Sequence, residues 1–300
     1  EKGYDDDYAV NVTVTSSIAG IIIPPSHNMI IYAIAAGGGL SISKLFLAGF
    51  IPGVLMCLCL AAVSYVVAVK RGYASEAFPG FAVLIKSFIT ALPGLMTAII
   101  IVGGVLSGIF TVTESGAFGA IYAFAATIVV YRGLSWEKFK LAVTNSVRTT
   151  SMVMILIACT GAFAYLLTFY QVPTKMSVFL TGISDKPVAI LLMINLMLLL
   201  LGMIMDMAAL ILICTPIFLP IANSIGIDPY QFGMILLMNL GLGLCTPPVG
   251  ACLFVGCVVG GVKIEDAVKT IWPFYIAILI ALMLVSFIPA ISLTLPGLLG

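Results

Sequence analysis

Charge is what this sequence has least of. Only 8% of its 300 residues are Asp, Glu, Lys or Arg, and 62% are hydrophobic, whereas soluble domains carry roughly 25% charged residues. A soluble globular fold is excluded, and the chain reads as a membrane protein. The net charge of +1 comes without a Lys/Arg cluster or an aromatic RNA-binding motif, so nucleic acid is not an expected partner. Histidine is nearly absent, with His27 alone, and zinc or iron ligation would lack partners. Cys57, Cys59, Cys159, Cys214, Cys245, Cys252 and Cys257 all fall inside apolar segments. There they read as small buried hydrophobes rather than a disulfide framework. An intramembrane enzyme would need a nucleophile with a base, or an Asp pair at depth, and the sequence offers neither. No enzymatic activity and no cofactor are expected. The chain starts at Glu1 with no signal peptide before its first membrane segment, and it reads as part of something longer.

What is there is a series of apolar runs, two of them cut by Gly/Pro knots. Gly243-Leu244-Cys245-Thr246-Pro247-Pro248-Val249-Gly250 interrupts the run from Tyr230 to Gly261. It has a twin. Laid over itself so that Gly3 meets Gly226, the sequence places Asp5 on Asp228, Gly20 on Gly243, Pro24-Pro25 on Pro247-Pro248 and Gly37-Gly38 on Gly260-Gly261. That self-similarity marks an internal repeat. A proline pair removes two backbone donors and disfavours helix at the preceding residue, so each run should break and restart. Unwound backbone at membrane depth is tolerated only where it is buried or lines a wet cavity. Two breaks at matching positions point to the midplane site of a secondary transporter. Kinks that only shape packing would need one proline each and no flanking glycines.

In chain order, Asp5, Asp6 and Asp7 suit a helix N-terminus. Broken helix one (8–38) carries Asn11, Thr13, Thr15, Ser16, Ser17, Ser26 and Asn28, so part of it should face protein or water. Leu45 to Val69 is a span. Gly72 to Ala91, with Glu76, Pro79 and Lys86, reads as an amphipathic arm along the membrane, and Arg132 to Arg148, with Trp136, as a second one. Spans are expected at Leu92 to Ile109, Ser115 to Tyr131 and Met152 to Phe169. Thr111-Val112-Thr113-Glu114 matches a capping box. Gln171 to Lys186 reads as a short connection. The stretch from Val188 to Ile225 is too long for one span and is interrupted by Gly202 and Asp206, which suggests a re-entrant hairpin with Asp206 near its tip. Asp228-Pro229-Tyr230-Gln231 offers a cap, a first-turn proline and a reciprocal Gln to start broken helix two. Trp272 to Ile291 is the last span.

Lys70, Arg71, Lys86, Arg132, Lys138, Lys140, Arg148, Lys263 and Lys269 fall on one face of this layout, and Lys44, Lys175 and Lys186 on the other. With the richer face cytoplasmic, broken helix one runs outward and broken helix two inward, so the repeat is inverted. The second unit places about 130 residues before Gly226, which leads us to expect a similar length, with a first hairpin, upstream of Gly3.

Taken in order, Gly3-Tyr4-Asp5, Gly20-Ile21-Ile22-Ile23-Pro24-Pro25-Ser26, Gly108-Ile109-Phe110-Thr111-Val112-Thr113-Glu114, Gly202-Met203-Ile204-Met205-Asp206 and Leu244-Cys245-Thr246-Pro247-Pro248-Val249-Gly250 resemble the large membrane subunit of tripartite ATP-independent periplasmic (TRAP) transporters. The resemblance runs through the whole chain, without the family's N-terminal part. It implies an all-α polytopic membrane protein with inverted repeats, discontinuous helices and a re-entrant hairpin, working as an elevator-type importer driven by sodium. The implied partners are a small four-helix membrane subunit and a periplasmic binding protein that delivers an organic acid, whether a dicarboxylate, a sialic acid or a sugar acid, at the bacterial inner membrane. One sodium site would use Gly20, Ile23 and Pro25 together with the expected upstream hairpin, and a second Gly202, near the tip of the hairpin at 187–225, with Gly243, Thr246 and Val249. The transport domain would comprise 1–44 and 187–261 (hairpin 187–225, broken helix 230–261). The scaffold would comprise 45–71, 92–186 and 262–300, with 72–91 as an arm. A stand-alone sodium-coupled anion carrier or an ion antiporter of similar architecture is the alternative.

Some residues keep two readings. Asp206 is either a functional group at membrane depth or a cap on the next helix. Glu114 could be an ion ligand, but fits a helix cap better. Asn239 could contact substrate or bridge helices, and proximity to substrate is the expectation. Ser26, His27 and Asn28 follow the first proline pair and could tune substrate choice, although a lone histidine is more often structural.

Overall fold

The computed structural model describes residues 3–73 and 79–299, which form fifteen helices and no strand. They are α1 (Asp6–Ser16), α2 (Ala19–Ile22), α3 (His27–Ala35), α4 (Ile42–Lys70), α5 (Phe81–Leu106), α6 (Val112–Val129), α7 (Trp136–Phe169), α8 (Val172–Ile183), α9 (Pro187–Gly202), α10 (Met207–Ser224), α11 (Pro229–Leu244), α12 (Ala251–Gly260), α13 (Ile264–Thr270), α14 (Trp272–Phe287) and α15 (Pro289–Leu299). Five are long and apolar enough to cross a membrane. The number rises to seven if two bent pairs each count as one span: α1–α2 with α3, bent by 51°, and α13 with α14, bent by 57°.

The chain divides into two compact units, residues 1–73 with 156–300, and residues 74–155. In the smaller unit α5 packs on α6 through glycines: a Cβ on Gly119 would lie 2.5 Å from Ile101, and one on Gly104 2.6 Å from the Ser115 hydroxyl. Such close approach of small residues is how helices associate where lipid removes the hydrophobic drive. The capping box is present, with Glu114 accepting from the Thr111 N–H at 2.8 Å and Thr111 Oγ1 accepting from the Glu114 N–H at 3.3 Å.

The larger unit is organised around α11, which is buried at every position from 231 to 243. A helix apolar on all sides belongs in the middle of a bundle. Here α9, α10, α14 and α4 surround it. Four single prolines stay inside helices, Pro52 in α4, Pro93 in α5, Pro216 and Pro220 in α10. The two proline pairs do not, and each ends a helix. The start of α1 is held by ions, because Arg71 grips Asp7 through two 2.8 Å bonds and Asp5 through one of 3.0 Å.

Several boundaries differ from the sequence reading. Neither expected arm is separated from the span that follows: α5 runs unbroken through 91–92, and α7 continues from Trp136 to Phe169. A change from polar to apolar side chains leaves backbone hydrogen bonds intact, and no Gly or Pro lies between Gly133 and Gly161. Glu76 and the rest of 74–78 lie outside the described residues. The expected connection 171–186 contains a helix, α8. Gln171, in a left-handed conformation (φ +53°), turns the chain between α7 and α8 and caps α8, and Pro173 fits the first turn of α8.

The last span breaks at Ile288, because Pro289 has no N–H to continue the ladder. Gln231 does not complete a capping box. Asp228 caps α11 alone, at 2.8 Å to the Tyr230 N–H, and Gln231 Nε2 donates to the Val285 and Ser286 carbonyls, 3.1 Å each. Those carbonyls lose their helical donors at the Ile288 break, and Gln231 replaces them. Not all the cysteines are buried either: Cys214, Cys245 and Cys257 are, while Cys57 and Cys159 are exposed.

Candidate ion and substrate site

The second break joins α11 to α12. Tight turns end α11, with the Cys245 N–H donating to Leu242 O at 3.1 Å and the Thr246 N–H to Gly243 O at 2.9 Å. Pro247 and Pro248 donate nothing, and Gly250 turns the chain into α12 with φ +50°, a conformation side chains disfavour. A Cβ there would also sit 3.0 Å from Thr246 O. Two freed groups find distant partners. The Tyr275 hydroxyl donates to Cys245 O, and the Val249 N–H donates to Met203 O at 3.2 Å.

That last bond brings in the helical hairpin expected at 187–225. It consists of α9 and α10, with a turn at 203–206. Gly202 and Gly243 touch backbone to backbone, since a Cβ on Gly243 would lie 2.5 Å from Gly202 C and 2.6 Å from its Cα. Three of the four residues named for a second sodium site, Gly202, Gly243 and Val249, therefore converge on the hairpin tip. Thr246 is in the same loop, and its hydroxyl donates to Leu242 O at 2.7 Å.

The first break, 23–26, is built differently. Ile23 and Ser26 are extended, and the Ser26 hydroxyl donates to Ile21 O. A Cβ on Gly20 would meet nothing within 4 Å. This break rests on α4: Cβ atoms on Gly49 and Gly53 would lie 2.4 Å from Ile22 O and 2.4 Å from the Ile23 side chain. Ile23 and Pro25 thus lie in the first break and Gly20 in the short helix α2 that leads into it, whereas the hairpin tip at 203–206 lies against the second break. Its second arm does reach the hairpin, since Asn28 Nδ2 lies 3.6 Å from Met207 Sδ. His27 is exposed, whereas Ser26 and Asn28 are buried.

Asp206 caps α10, its carboxylate accepting from the Ala208 N–H at 2.9 Å. It also borders an open cavity of about 510 Å³ with Thr13, Val14, Ser17, Leu244 and Cys252. The cap and the exposed position coexist, because the second carboxylate oxygen is not needed for the cap. Asn239 is 1% exposed and bridges helices, its amide donating to Asn195 Oδ1 and to Ile235 O. Its own Oδ1 has no partner among the described residues.

Sequence reasoning missed Met203, Asn195, Ser286 and the α4 glycines. The glycines had a signal, since Gly49 and Gly53 form the small-xxx-small spacing of close helix packing. Asn195 and Ser286, polar residues within apolar runs, also had one. Met203 had none, because it contributes a backbone carbonyl.

The family model described as "Tripartite ATP-independent periplasmic transporter, DctM component" matches residues 1–291. Among curated relatives, the sialic acid TRAP transporter large permease protein SiaM of Vibrio cholerae is 37% identical over 98% of this chain and 69% of its own length. The C4-dicarboxylate TRAP transporter large permease protein DctM of Pseudomonas aeruginosa is 37% identical over 100% of this chain and 70% of its own. The isethionate TRAP transporter permease protein DctMQ of Oleidesulfovibrio alaskensis is 36% identical over 99% of this chain and 47% of its own. With this match, and with apolar helices long enough to cross a bilayer, the chain belongs to the DctM component family of TRAP transporters, multi-pass inner-membrane permeases rather than enzymes.

Proposed function

We propose that this chain is the large membrane subunit of a sodium-coupled importer, moving a small organic acid across the inner membrane by an elevator mechanism. The observation that carries the reading is the junction of hairpin tip and second break, where Gly202 meets Gly243 and the Val249 N–H bonds Met203 O. Sodium favours several hard oxygens without a fixed charge. The backbone of Gly202, Gly243, Thr246 and Val249, with the Thr246 hydroxyl, offers a donor set of that kind. Gly20, Ile23 and Pro25 offer the matching carbonyls at the first break. Helix ends around each break add their dipoles, the C-terminal ends favouring the cation and the N-terminal ends a carboxylate or sulfonate.

The repeated breaks and the one-sided Lys/Arg distribution support inverted repeats. In this reading 1–44 and 187–261 form the moving part, and 45–71, 92–186 and 262–300 the scaffold, with the arm at 72–91. The substrate lies near Asp206, Ser26, His27 and Asn28. Asn239 supports its surroundings from behind, through Asn195. A small membrane subunit and a periplasmic binding protein complete the transporter. The relatives' names, which mention sialic acid, C4-dicarboxylate and isethionate, support an organic acid as cargo.

The test is uptake of labelled organic acids into proteoliposomes holding the full-length protein with its small subunit, with and without a sodium gradient and the binding protein. Uptake that requires both supports the proposal. Uptake that needs sodium alone points to a stand-alone anion carrier using the same loops.

A further inference from the structure

Away from the breaks, the smaller unit carries an open groove of about 350 Å³ between the end of α6 and the start of α7, lined by Phe124, Thr127, Leu134, Phe139, Val143 and Val147 among others. Along α7 it runs from Phe139 to Val147, about 12 Å at the rise of an α-helix, close to the half-thickness of about 15 Å that one leaflet contributes. Trp136, Phe139 and Phe124 form a chain of rings leading into it, with centroids 5.6 and 5.5 Å apart. Trp136 is exposed at the start of α7, as a tryptophan at headgroup level would be. The same end of the groove is cationic. Neighbouring helix residues are about 100° apart, so Lys138 and Lys140 flank Phe139 on its two sides, while Glu137 falls about 160° away from it. Arg132 lies in the connecting loop, which is shaped by its positive φ (+47°) and by the Lys138 Nζ, which donates to Gly133 O at 3.3 Å. None of the three cations is in an ion pair among the described residues, and Lys138 uses only one of its three donors on Gly133. A groove of similar size on α14, about 380 Å³ and lined by Ile276, Met283 and Phe287 among others, lies in a stretch, 271–299, without a charged residue.

We propose that the groove between α6 and α7 seats an anionic phospholipid, with one acyl chain along Phe139, Val143 and Val147 and the phosphate among Lys138, Lys140 and Arg132. Charge complementarity selects this occupant. A zwitterionic lipid would bring its own ammonium to the same three cations, and a soluble anion would leave the apolar wall uncovered. Basic pockets between spans on the cytoplasmic side bind anionic headgroups in this way, and these three cations fall on the face that the Lys/Arg distribution makes cytoplasmic. The lipid would hold the start of α7 at the level of the headgroups. The inference is independent of the ion site.

The test uses the full-length protein with its small subunit in vesicles of equimolar phosphatidylcholine and phosphatidylglycerol. A photoactivatable group is carried on the acyl chain of one lipid or the other, and the labelled peptides are mapped. The expected result is that phosphatidylglycerol labels 123–147 well above phosphatidylcholine, whereas the two label 276–288 alike. Arg132→Gln, Lys138→Gln and Lys140→Gln should each reduce that excess, by up to about fivefold, and together remove it. Val143→Trp fills the groove without changing its charge, and should lower labelling there by both lipids while leaving 276–288 unchanged. Equal labelling of the groove by the two lipids, or an excess that survives the triple substitution, would overturn the proposal. So would a groove that neither lipid labels, with the small subunit cross-linking to α7 in their place.

Discussion

The two breaks occupy equivalent places in the sequence repeat, yet the molecule closes them in different ways. The second is closed by distant partners: the hairpin tip lies against Gly243, Met203 accepts the Val249 N–H, and Tyr275 bonds Cys245 O. The first is closed locally by Ser26 on Ile21 O and cushioned by Gly49 and Gly53 of α4. Within the described residues, the two equivalent glycines therefore have different neighbours. Gly243 has no room for a side chain beside Gly202, whereas among the described residues nothing lies within 4 Å of where a Cβ on Gly20 would go, on the side where the repeat leads us to expect an upstream hairpin. A repeat in sequence specifies where the backbone unwinds, and the neighbours decide what the unwound backbone can do.

The sharpest way to break this comparison is to place alanine at both positions. Gly243→Ala should destabilise the protein by about 1–3 kcal/mol, the usual range for overpacking, since the new Cβ would push on backbone that cannot rotate away. In residues 1–300, Gly20→Ala should stay within about 0.5 kcal/mol, as for a substitution that meets no neighbour; a larger cost in a longer protein would place the expected upstream hairpin against Gly20. Thermal unfolding in detergent measures both, and equal losses would mean the breaks are packed alike.

Next comes Gln231→Leu. It leaves the Val285 and Ser286 carbonyls unpaired at the Ile288 break and should cost about 1–3 kcal/mol, read from the same unfolding curves. Closer to function, Thr246→Val should raise the sodium concentration for half-maximal uptake several-fold. Ser26→Ala should cost about 1 kcal/mol of stability through its single lost hydrogen bond and leave the sodium dependence in place. The smallest stability effect should come from Asp206→Asn, because Asn caps helices about as well as Asp and the change should be a few tenths of a kcal/mol. Any loss of uptake in that variant would then report the charge and not the cap.

Much of the fold was legible wherever one short stretch decides the outcome. Proline pairs ended helices, Thr111 and Glu114 formed their box, and Asp206 capped the helix after the turn. What was not legible depends on groups far apart in the chain. Gln231 carried a local capping signal, but a stronger need 54 residues away took its amide. Asn239 found Asn195 on a neighbouring helix, a choice that depends on helix rotation and not on composition. Expected boundaries at 91–92 and 148–152 vanished because amphipathicity changes without a helix breaker. The break at Ile288 was hidden inside an apolar run, where a single proline usually stays within its helix, as Pro52 and Pro93 do. In the candidate site, the glycines and Thr246 were named from sequence, whereas Met203, a backbone partner, could not be.

The most direct test of the second break as an ion site is thermal unfolding of the purified protein in sodium chloride against equimolar potassium chloride, for wild type and Thr246→Val. An ion that binds only the folded state raises the unfolding temperature with its concentration. The expected result is a rise specific to sodium that is diminished in Thr246→Val. An equal rise in both salts, or a sodium-specific rise of the same size in the variant, would contradict an ion site at this loop.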